Sequence, residues 1–454
     1  MKIVPGKYLL VCYAVACVLA AVLLLGSDSD PMLLMGIMAL FACIGILDVF
    51  ISKPLLNGVT VRFPEVVCLS KNRNGVIAVE IINKKEALKT IKIGMLLPGS
   101  RFETELIKTI ELKAGHSSVK WPLTGIIQGR FVLEDCHVEI QSALGFWALR
   151  KKQAARCEIR VYPDLSSEQK MLASKFLNAD TGVHSRKMVG KGREFERLRE
   201  YLPGDLYEDI HWKATARRGI PVTKIFQIER TQDVYVILDA SRMSARDAGT
   251  VSLGGRPDRT SDRSARESIL EKYIKTALSI GLAAEKQGDR FGLLVFDDRV
   301  RQFMPAGNRN AHFKACRDIL YTLEPRPVTP DFTELISFTG NRIRKRALLI
   351  FMTSLDDPAV AEGLVNNAQI LSRRHLLMIN MINPSQARPV FSGGGAAAKD
   401  EIYNRLGGHM VWQFLRELEQ SFLRLGIGFF RHEPRDLTWQ TISQYLKIKQ
   451  RQAL

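Results

Sequence analysis

The sequence predicts an α/β protein in three parts: an apolar amino-terminal helical hairpin, a β-rich domain and a larger domain of alternating strands and helices. Two long, almost uncharged runs in residues 1–53 predict the first part, and short β-branched segments over 54–163 predict the second. Strand-like and amphipathic helix-like segments alternate after residue 230. Such alternation is typical of a doubly wound sheet, a largely parallel sheet covered by helices on both faces.

The amino-terminal runs are Tyr8–Gly26 and Met32–Ile51, joined by the short polar sequence SDSDP. At about 1.5 Å of rise per residue, the first run would span roughly 28 Å as a helix, close to the thickness of a bilayer core. Basic residues flank both ends of the pair, so the positive-inside rule places everything after residue 53 in the cytoplasm. We therefore predict a transmembrane helical hairpin over 1–53. Asp48, near the end of the second run, is expected to be hydrated.

The charge balance restricts the classes of partner. The formal net charge is +18, from 65 lysines and arginines against 47 acids. This balance favours acidic proteins, anionic lipids or nucleic acid. Over residues 192–230, however, basic and acidic residues interleave, which is more typical of an ion-pair network than of a phosphate-binding track. Nucleic acid is therefore not the predicted partner. A surface that binds anionic lipid or nucleic acid is a weaker alternative to the two functions given at the end of this section. The seven cysteines have no metal-ligand or disulfide spacing, as expected in a reducing compartment.

The segment 54–163 contains short alternating strands separated by Gly, Pro, Asn or Lys turns. This pattern predicts a small β-sandwich of immunoglobulin type. No acids, histidines or thiols cluster there, so we expect a spacer or docking role. Residues 164–191 are predicted to form a linker with a helix at 166–177, and the final domain is predicted to cover 192–454.

The run from Gly192 to Arg230 is dense in arginine, acids, tryptophan and glycine. Its Pro203-Gly204-Asp205 sequence predicts a tight turn. We expect Trp212 to fill a core with its N–H bonded, and the arginines to pair with glutamates in a charged docking surface. The candidate site residues of this segment are Arg199, Gly204, Asp205, Asp209, Trp212, Lys213, Arg217 and Glu229.

The same run resembles the signature of the bacterial domain-of-unknown-function family 58. The matching residues are Gly192, Glu194, Phe195, Leu198, Arg199, Tyr201, Pro203-Gly204-Asp205, Ile210, Trp212-Lys213, Ala216-Arg217, Glu229 and Arg230. The resemblance implies that the final domain is similar to a von Willebrand factor A domain. It also implies a place in the bacterial inner membrane, with the soluble domains on the cytoplasmic side. The implied partners are client proteins and an AAA+ ATPase of the MoxR type.

Domains similar to von Willebrand factor A commonly hold Mg²⁺ or Mn²⁺ through an Asp-x-Ser-x-Ser loop, a threonine and an acid from a third loop. Met243 stands where the first loop would have its second serine, and Ser354 stands where the third loop would have its acid. We therefore expect a degenerate site that binds Mg²⁺ or Mn²⁺ weakly at most, or docks a partner. The alternative is that its polar residues only bond the neighbouring loop and helix end. The candidate residues are Asp239, Ser241, Thr333 (or Thr329) and Asp356.

Two functions follow from these patterns. The first is a membrane-anchored cytoplasmic adaptor that acts with the MoxR-type ATPase in chaperone-like maturation or assembly of protein complexes, and it needs no catalytic residue. The alternative is a metal-dependent, membrane-associated hydrolase that uses Asp205, Asp209 and His211 as an acid–base or metal set. The glycine- and arginine-rich loop 245–264 is expected to be mobile.

Overall fold

The computed structural model describes residues 2–26, 31–83, 90–112, 115–180, 194–203, 205–227, 231–248, 267–392 and 399–450. The chain divides into two compact units, Met1–Asp164 and Leu165–Leu454. Most of the loop 245–264 lies outside the described residues, so its predicted mobility stays a prediction.

The first unit begins with a short strand and two helices, β1 (Lys2–Pro5), α1 (Lys7–Gly26) and α2 (Pro31–Asn57). Within the described part of the chain, no helix meets the combined length and hydropathy needed to cross a bilayer. The predicted hydration of Asp48 is wrong. Its carboxylate is buried and accepts a hydrogen bond from the Leu144 amide at 3.0 Å, so the end of α2 is joined to a loop of the β-domain.

The rest of this unit is β-structure in two sheets. One sheet has the order β1-β10-β9-β5-β7, with β3 also paired to β10, and the other has the order β2-β4-β8-β6. The strands are β2 (Val59–Arg62), β3 (Val66–Ser70), β4 (Asn74–Asn83), β5 (Thr90–Met95), β6 (Phe102–Glu103), β7 (Ile107–Glu111), β8 (Gly115–Gly125), β9 (Gly129–Gln141) and β10 (Trp147–Tyr162).

Both sheets contribute to one hydrophobic core, as the alternating sequence pattern predicts. Ile77 and Trp121 of one sheet and Ile93 and Val138 of the other are fully buried in the same cluster. The alternate positions along β4 are exposed. A β-sandwich is therefore present, while its assignment to the immunoglobulin type stays a prediction.

The second unit contains most of the helices. Its strands are β11 (Glu194–Glu200), β12 (Val222–Gln227), β13 (Asp233–Asp239), β14 (Arg290–Phe296), β15 (Val300–Gly307), β16 (Leu348–Met352), β17 (Leu376–Ile382) and β18 (Gly428–His432). Its helices are α3 (Ser166–Asp180), α4 (Trp212–Arg218), α5 (Ile269–Lys286), α6 (Asn310–Leu320), α7 (Phe332–Arg342), α8 (Pro358–Ser372), α9 (Lys399–Arg424) and α10 (Leu437–Gln450).

Six of these strands form a doubly wound sheet with the order β15-β14-β13-β16-β17-β18. All neighbours are parallel except β15, which is antiparallel to β14 at one edge. Separate hydrophobic clusters cover the two faces of the sheet. The strand order reverses between β13 and β16, and the carboxyl ends of strands at such a reversal are where open α/β sheets hold ligands.

A smaller element precedes this sheet. Strands β11 and β12 form an antiparallel ribbon, and a short 3₁₀ turn (Tyr207–Asp209) and helix α4 connect them. This connection contains most of the candidate residues of the 192–230 run.

Candidate functional site

The carboxyl ends of five strands place a row of polar side chains along one edge of the doubly wound sheet. They lie within two residues of the end of their strands. None is more than 2% exposed. The row consists of Asp297, Asp239, Thr353, Asn380 and His432.

Asp239 is the second residue of this row, beside the point where the strand order reverses. Its carboxylate accepts hydrogen bonds from the Ser241 amide at 2.8 Å and from the Thr353 hydroxyl at 2.6 Å. Burial raises the pKa of Asp239, and the nearby Asp297 acts in the same direction. A carboxyl group in this setting favours its neutral form, which is a poor ligand for a metal ion.

Asp297, at the end of the neighbouring strand, has the opposite shift. Burial acts to raise its pKa, but the Arg301 guanidinium, with its Nε 2.7 Å from one carboxylate oxygen, leaves the pKa below the usual range. The two carboxyl groups therefore favour different charge states. Neither has exposed surface, so they are not placed to act on a substrate from solution.

Ser241 has a structural role. It caps the 3₁₀ turn Arg242–Ala245, where its hydroxyl accepts from the Met243 amide at 3.4 Å. Its carbonyl accepts from the Ser244 hydroxyl at 2.8 Å. These are the bonds to the loop and helix end that the structural interpretation of the Asp-x-Ser sequence predicts.

Asp356, in the third loop, is bound by Arg246 of the first loop, which follows strand β13. The guanidinium of Arg246 donates to both of its carboxylate oxygens, at 2.5 and 2.8 Å. The pair raises the pKa of Arg246, chiefly through the hydrogen bonds to Asp356. Next to it, Arg242 lies 3.5 Å from Asp357, which also caps helix α8. Two arginines of the first loop therefore neutralise the acids of the third loop.

Thr333 is exposed in the first turn of α7, where the amide nitrogen of Asn367 donates to its hydroxyl at 3.4 Å. The threonine that bonds Asp239 is instead Thr353, which the sequence reasoning missed. It follows β16 directly and precedes Ser354, which stands where the third loop would have its acid. Parallel pairing of β16 with β13 was the available signal, since it brings the ends of these two strands together.

These residues do not fit a Mg²⁺ or Mn²⁺ site. Such ions need ionised oxygen ligands with free lone pairs. Asp239 and Asp356 use both of their carboxylate oxygens within the protein, and Thr333 bonds Asn367. Among the residues that the structure describes, no group of three or more His, Cys, Asp or Glu side chains could hold a metal ion. Asp239 and Ser241 have no exposed surface, and the expectation that this edge docks a partner stays a prediction.

We expect the midpoint of thermal unfolding to be unchanged by Mg²⁺, Mn²⁺ or EDTA, because Arg246 already supplies the positive charge at this edge. Differential scanning calorimetry of the full chain in each condition tests this, with Mn²⁺ binding followed by electron paramagnetic resonance. A rise in the midpoint with Mn²⁺ that is abolished by Asp239→Asn would contradict it.

In the 192–230 run, Asp205 organises the turn between the two ribbon strands. Its carboxylate accepts from Arg199 at 2.7 Å, from the Leu202 amide at 3.0 Å and from the Thr223 hydroxyl at 3.3 Å. The Leu202 bond first, and then the charge of Arg199 among other contacts, lower the pKa of Asp205 despite partial burial. Gly204 and Glu229 lie outside the described residues. Both carboxylate oxygens of Asp205 thus accept hydrogen bonds that hold the turn.

His211 also has a structural role. Its Nδ1 accepts a hydrogen bond from the Ala214 amide at 3.0 Å and so caps helix α4. The Asp209 backbone closes the 3₁₀ turn by donating to the Leu206 carbonyl at 3.0 Å. No bond in the described part of the chain joins Asp205, Asp209 and His211 into one acid–base set. Within the described residues, the three groups that the hydrolase alternative needs therefore do not form one bonded site.

Residues 197–393 match the family described as protein of unknown function DUF58. We call this stretch the DUF58 segment. The resemblance predicted from the sequence is thereby confirmed. No curated protein matches the chain significantly.

Several solved structures are similar to part of this chain. The conserved hypothetical protein BatB from Bacteroides thetaiotaomicron is 14% identical over 48% of this chain and 99% of its own, with a TM-score of 0.30. An aerotolerance-related membrane protein from Bacteroides fragilis is 14% identical over 47% and 97%, with a TM-score of 0.29. An uncharacterized membrane spanning protein from Vibrio fischeri is 14% identical over 48% and 98%, with a TM-score of 0.17. At these TM-scores the likeness carries no conclusion about function.

The prediction that Trp212 fills a core is wrong, because its side chain is 68% exposed on helix α4. The predicted pairing of Arg217 with glutamates is also not seen, since Arg217 has no ion-pair partner among the residues described. Arg199 pairs with Asp205 instead. On the DUF58 segment, Trp212 and Arg217 are therefore both exposed, and Arg217 has no ion pair among the described residues.

Proposed function

We propose that this protein is a membrane-anchored cytoplasmic adaptor whose DUF58-containing unit binds other proteins. Its proposed partners are client proteins and an AAA+ ATPase of the MoxR type, with which it would act in chaperone-like maturation or assembly of complexes. The ATPase is implied by the family resemblance. We also propose that the doubly wound sheet is of the von Willebrand factor A type, supported by its strand order and its antiparallel edge strand β15.

The observation that carries protein binding is an uncovered apolar face on helix α9. Tyr403, Leu406 and Met410 are 72%, 49% and 67% exposed. Their spacing of three and four residues places them on one side of the helix. Phe391, shortly before the helix, is 95% exposed. A contiguous apolar stripe of this kind on a soluble domain is typical of an interaction site.

The edge of the sheet bears on whether this unit is a binding domain or an enzyme. In open α/β sheets, ligands are usually held at this edge. Here the Asp239–Thr353 and Arg246–Asp356 hydrogen bonds fill it, and its central carboxyl group is buried. This arrangement favours a binding domain over an enzyme, and no observation favours the hydrolase.

The proposed anchor is the pair of helices α1 and α2. Their sequences are uncharged over Tyr8–Gly26 and nearly so over Met32–Ile51, and several apolar side chains on them are exposed, including Leu10, Val11 and Phe50. Apolar helices without a protein partner are stable in lipid. The basic flanks favour a cytoplasmic position for the rest of the chain.

The adaptor is tested by purifying the full chain from native membranes in detergent and identifying the bound proteins by mass spectrometry. We expect an AAA+ ATPase to co-purify and Met410→Glu to reduce its recovery at least about tenfold, the effect of roughly 1.4 kcal/mol at a central contact. Gln420→Glu is the matched control, because it adds the same charge at an exposed position of the same helix. Equal recovery with both variants would refute the α9 face, and the absence of any ATPase would refute the partner.

A further inference from the structure

Helix α4 of the DUF58 segment has an outer face made of one aromatic and two cationic side chains. Trp212, Lys213 and Arg217 are all exposed, as is the small Ala216 between them. A rotation of about 100° per residue places these four positions on the same half of the helix. On the opposite half, Ala214 and Thr215 are half-buried and Arg218 is exposed. We call the exposed half, together with its neighbours described next, the α4 face.

Exposed apolar side chains also flank this helix in the sequence. Tyr207 is 76% exposed, and Leu202, Leu206 and Ile220 are between 44% and 57% exposed. The rings of Tyr207 and Tyr201 contact each other, with their centroids 6.1 Å apart. Five large apolar or aromatic residues are thus exposed within the 19 residues from Leu202 to Ile220.

The α4 face is held on a fixed scaffold. The His211 amide donates to the Val222 carbonyl at 2.7 Å, and the Val222 amide donates to the Thr215 hydroxyl at 3.0 Å. These bonds fasten the amino-terminal cap and the middle of α4 to strand β12. Gly219 ends the helix with a φ of 71°, a conformation that suits glycine. Hydrogen bonds to the ribbon therefore hold the helix that carries the exposed Trp212.

The α4 face carries positive charge that no described acidic side chain pairs with. Helix α4 contains Lys213, Arg217 and Arg218 and no acid. Within the described residues none of these three has an ion-pair partner, whereas Arg199 of the same ribbon is paired. Free cations beside exposed apolar and aromatic groups complement a surface that is anionic outside and apolar beneath.

We propose that the α4 face binds the anionic surface of a lipid bilayer. Tryptophan and tyrosine rings favour the headgroup region, where one edge is apolar and the other is hydrated. Lysine and arginine are attracted to anionic lipids from just outside that region. This inference rests on the proposed membrane anchor, which holds the face near a bilayer at high local concentration. A protein partner would meet the same side chains, but the anchor makes the bilayer the surface that is always present.

The test uses the full chain in lipid nanodiscs whose acyl chains are brominated and quench nearby tryptophan. Discs of mixed phosphatidylglycerol and phosphatidylcholine are compared with discs of phosphatidylcholine alone. The signal of Trp212 is the difference between the wild type and Trp212→Phe. We expect most of this emission to be lost in the anionic discs, and to be recovered in the neutral discs or at high salt.

The paired variant Lys213→Glu/Arg217→Glu should restore the emission of Trp212 in anionic discs. Arg344→Glu/Lys345→Glu is the matched control, since it makes the same charge change at two exposed positions elsewhere in the unit and should leave quenching intact. Emission from Trp212 that is equal in both kinds of disc would overturn the proposal. If the α4 variant also loses the co-purifying ATPase, the face would be assigned to a protein instead.

Failure of the anchor gives a different result. A chain that does not enter the discs, and elutes apart from lipid in size-exclusion chromatography, would refute the anchor and with it the basis for the lipid contact. A chain that enters the discs with Trp212 unquenched refutes the lipid contact alone.

Discussion

Replacing Asp289 by alanine is expected to lower the free energy of unfolding by about 3–5 kcal/mol, the usual cost of removing one partner from a buried charged pair. Asp289 is fully buried. Its carboxylate accepts from the Gln232 amide at 3.0 Å, from the Lys449 ammonium at 2.8 Å and from the Tyr445 hydroxyl. It therefore joins the entrances of strands β13 and β14 to the final helix α10.

The loss is large because the buried Tyr445 hydroxyl loses its acceptor and the Lys449 ammonium loses its counter-ion. Tyr445 is fully buried, and burial followed by the bond to Asp289 raises its pKa. The Lys449 side chain is 17% exposed and would keep only its bond to the Gln287 carbonyl. Urea unfolding followed by circular dichroism measures the change.

Asp298→Ala is the control for this prediction, because that carboxylate is paired with Arg301 but its side chain is 50% exposed. It should change the free energy of unfolding by no more than about 1 kcal/mol. If the two alanine variants were equally stable, the carboxylate of Asp289 would not hold α10 in place.

Hydrophobic periodicity was enough to predict the doubly wound sheet. The fully buried runs of β13, β14, β16 and β17 were visible as uninterrupted apolar segments, which is typical of central parallel strands. Shorter edge elements were harder. The two-residue β6, for example, is too short to show an alternating pattern.

The candidate site shows what a linear motif leaves out. The Asp-x-Ser sequence located Asp239 and Ser241, but the motif could not show that Thr353 would bond the carboxylate or that Arg246 would bind Asp356 from 110 residues away. Trp212 failed for a different reason. A large aromatic residue is usually buried, but none of the seven residues of α4 is buried, so the sequence pattern alone could not show that this ring is exposed.

Replacing Asp239 by alanine is expected to cost roughly 2–4 kcal/mol of unfolding free energy, because two buried donors lose their acceptor and each such loss costs about 1–3 kcal/mol. The orphaned donors are the Ser241 amide and the Thr353 hydroxyl. Asp239→Asn keeps the shape and one acceptor oxygen, and the Thr353 hydroxyl can rotate to accept from the new amide. It should therefore cost much less than alanine, as urea unfolding at one pH can show.

The comparison of Asp239→Asn with the wild type also has a defined pH dependence. Burial first, and Asp297 in addition, raise the pKa of Asp239 above its unfolded value of about 3.9. Between these two pKa values the folded state holds a proton that the unfolded state has lost, so wild-type stability falls as the pH rises through this window. Asparagine does not titrate, and the variant should gain stability relative to the wild type over the same interval. A difference between the two proteins that stays constant with pH would mean that Asp239 is ionised in the folded protein, and it would reopen the edge of the sheet to a bound cation.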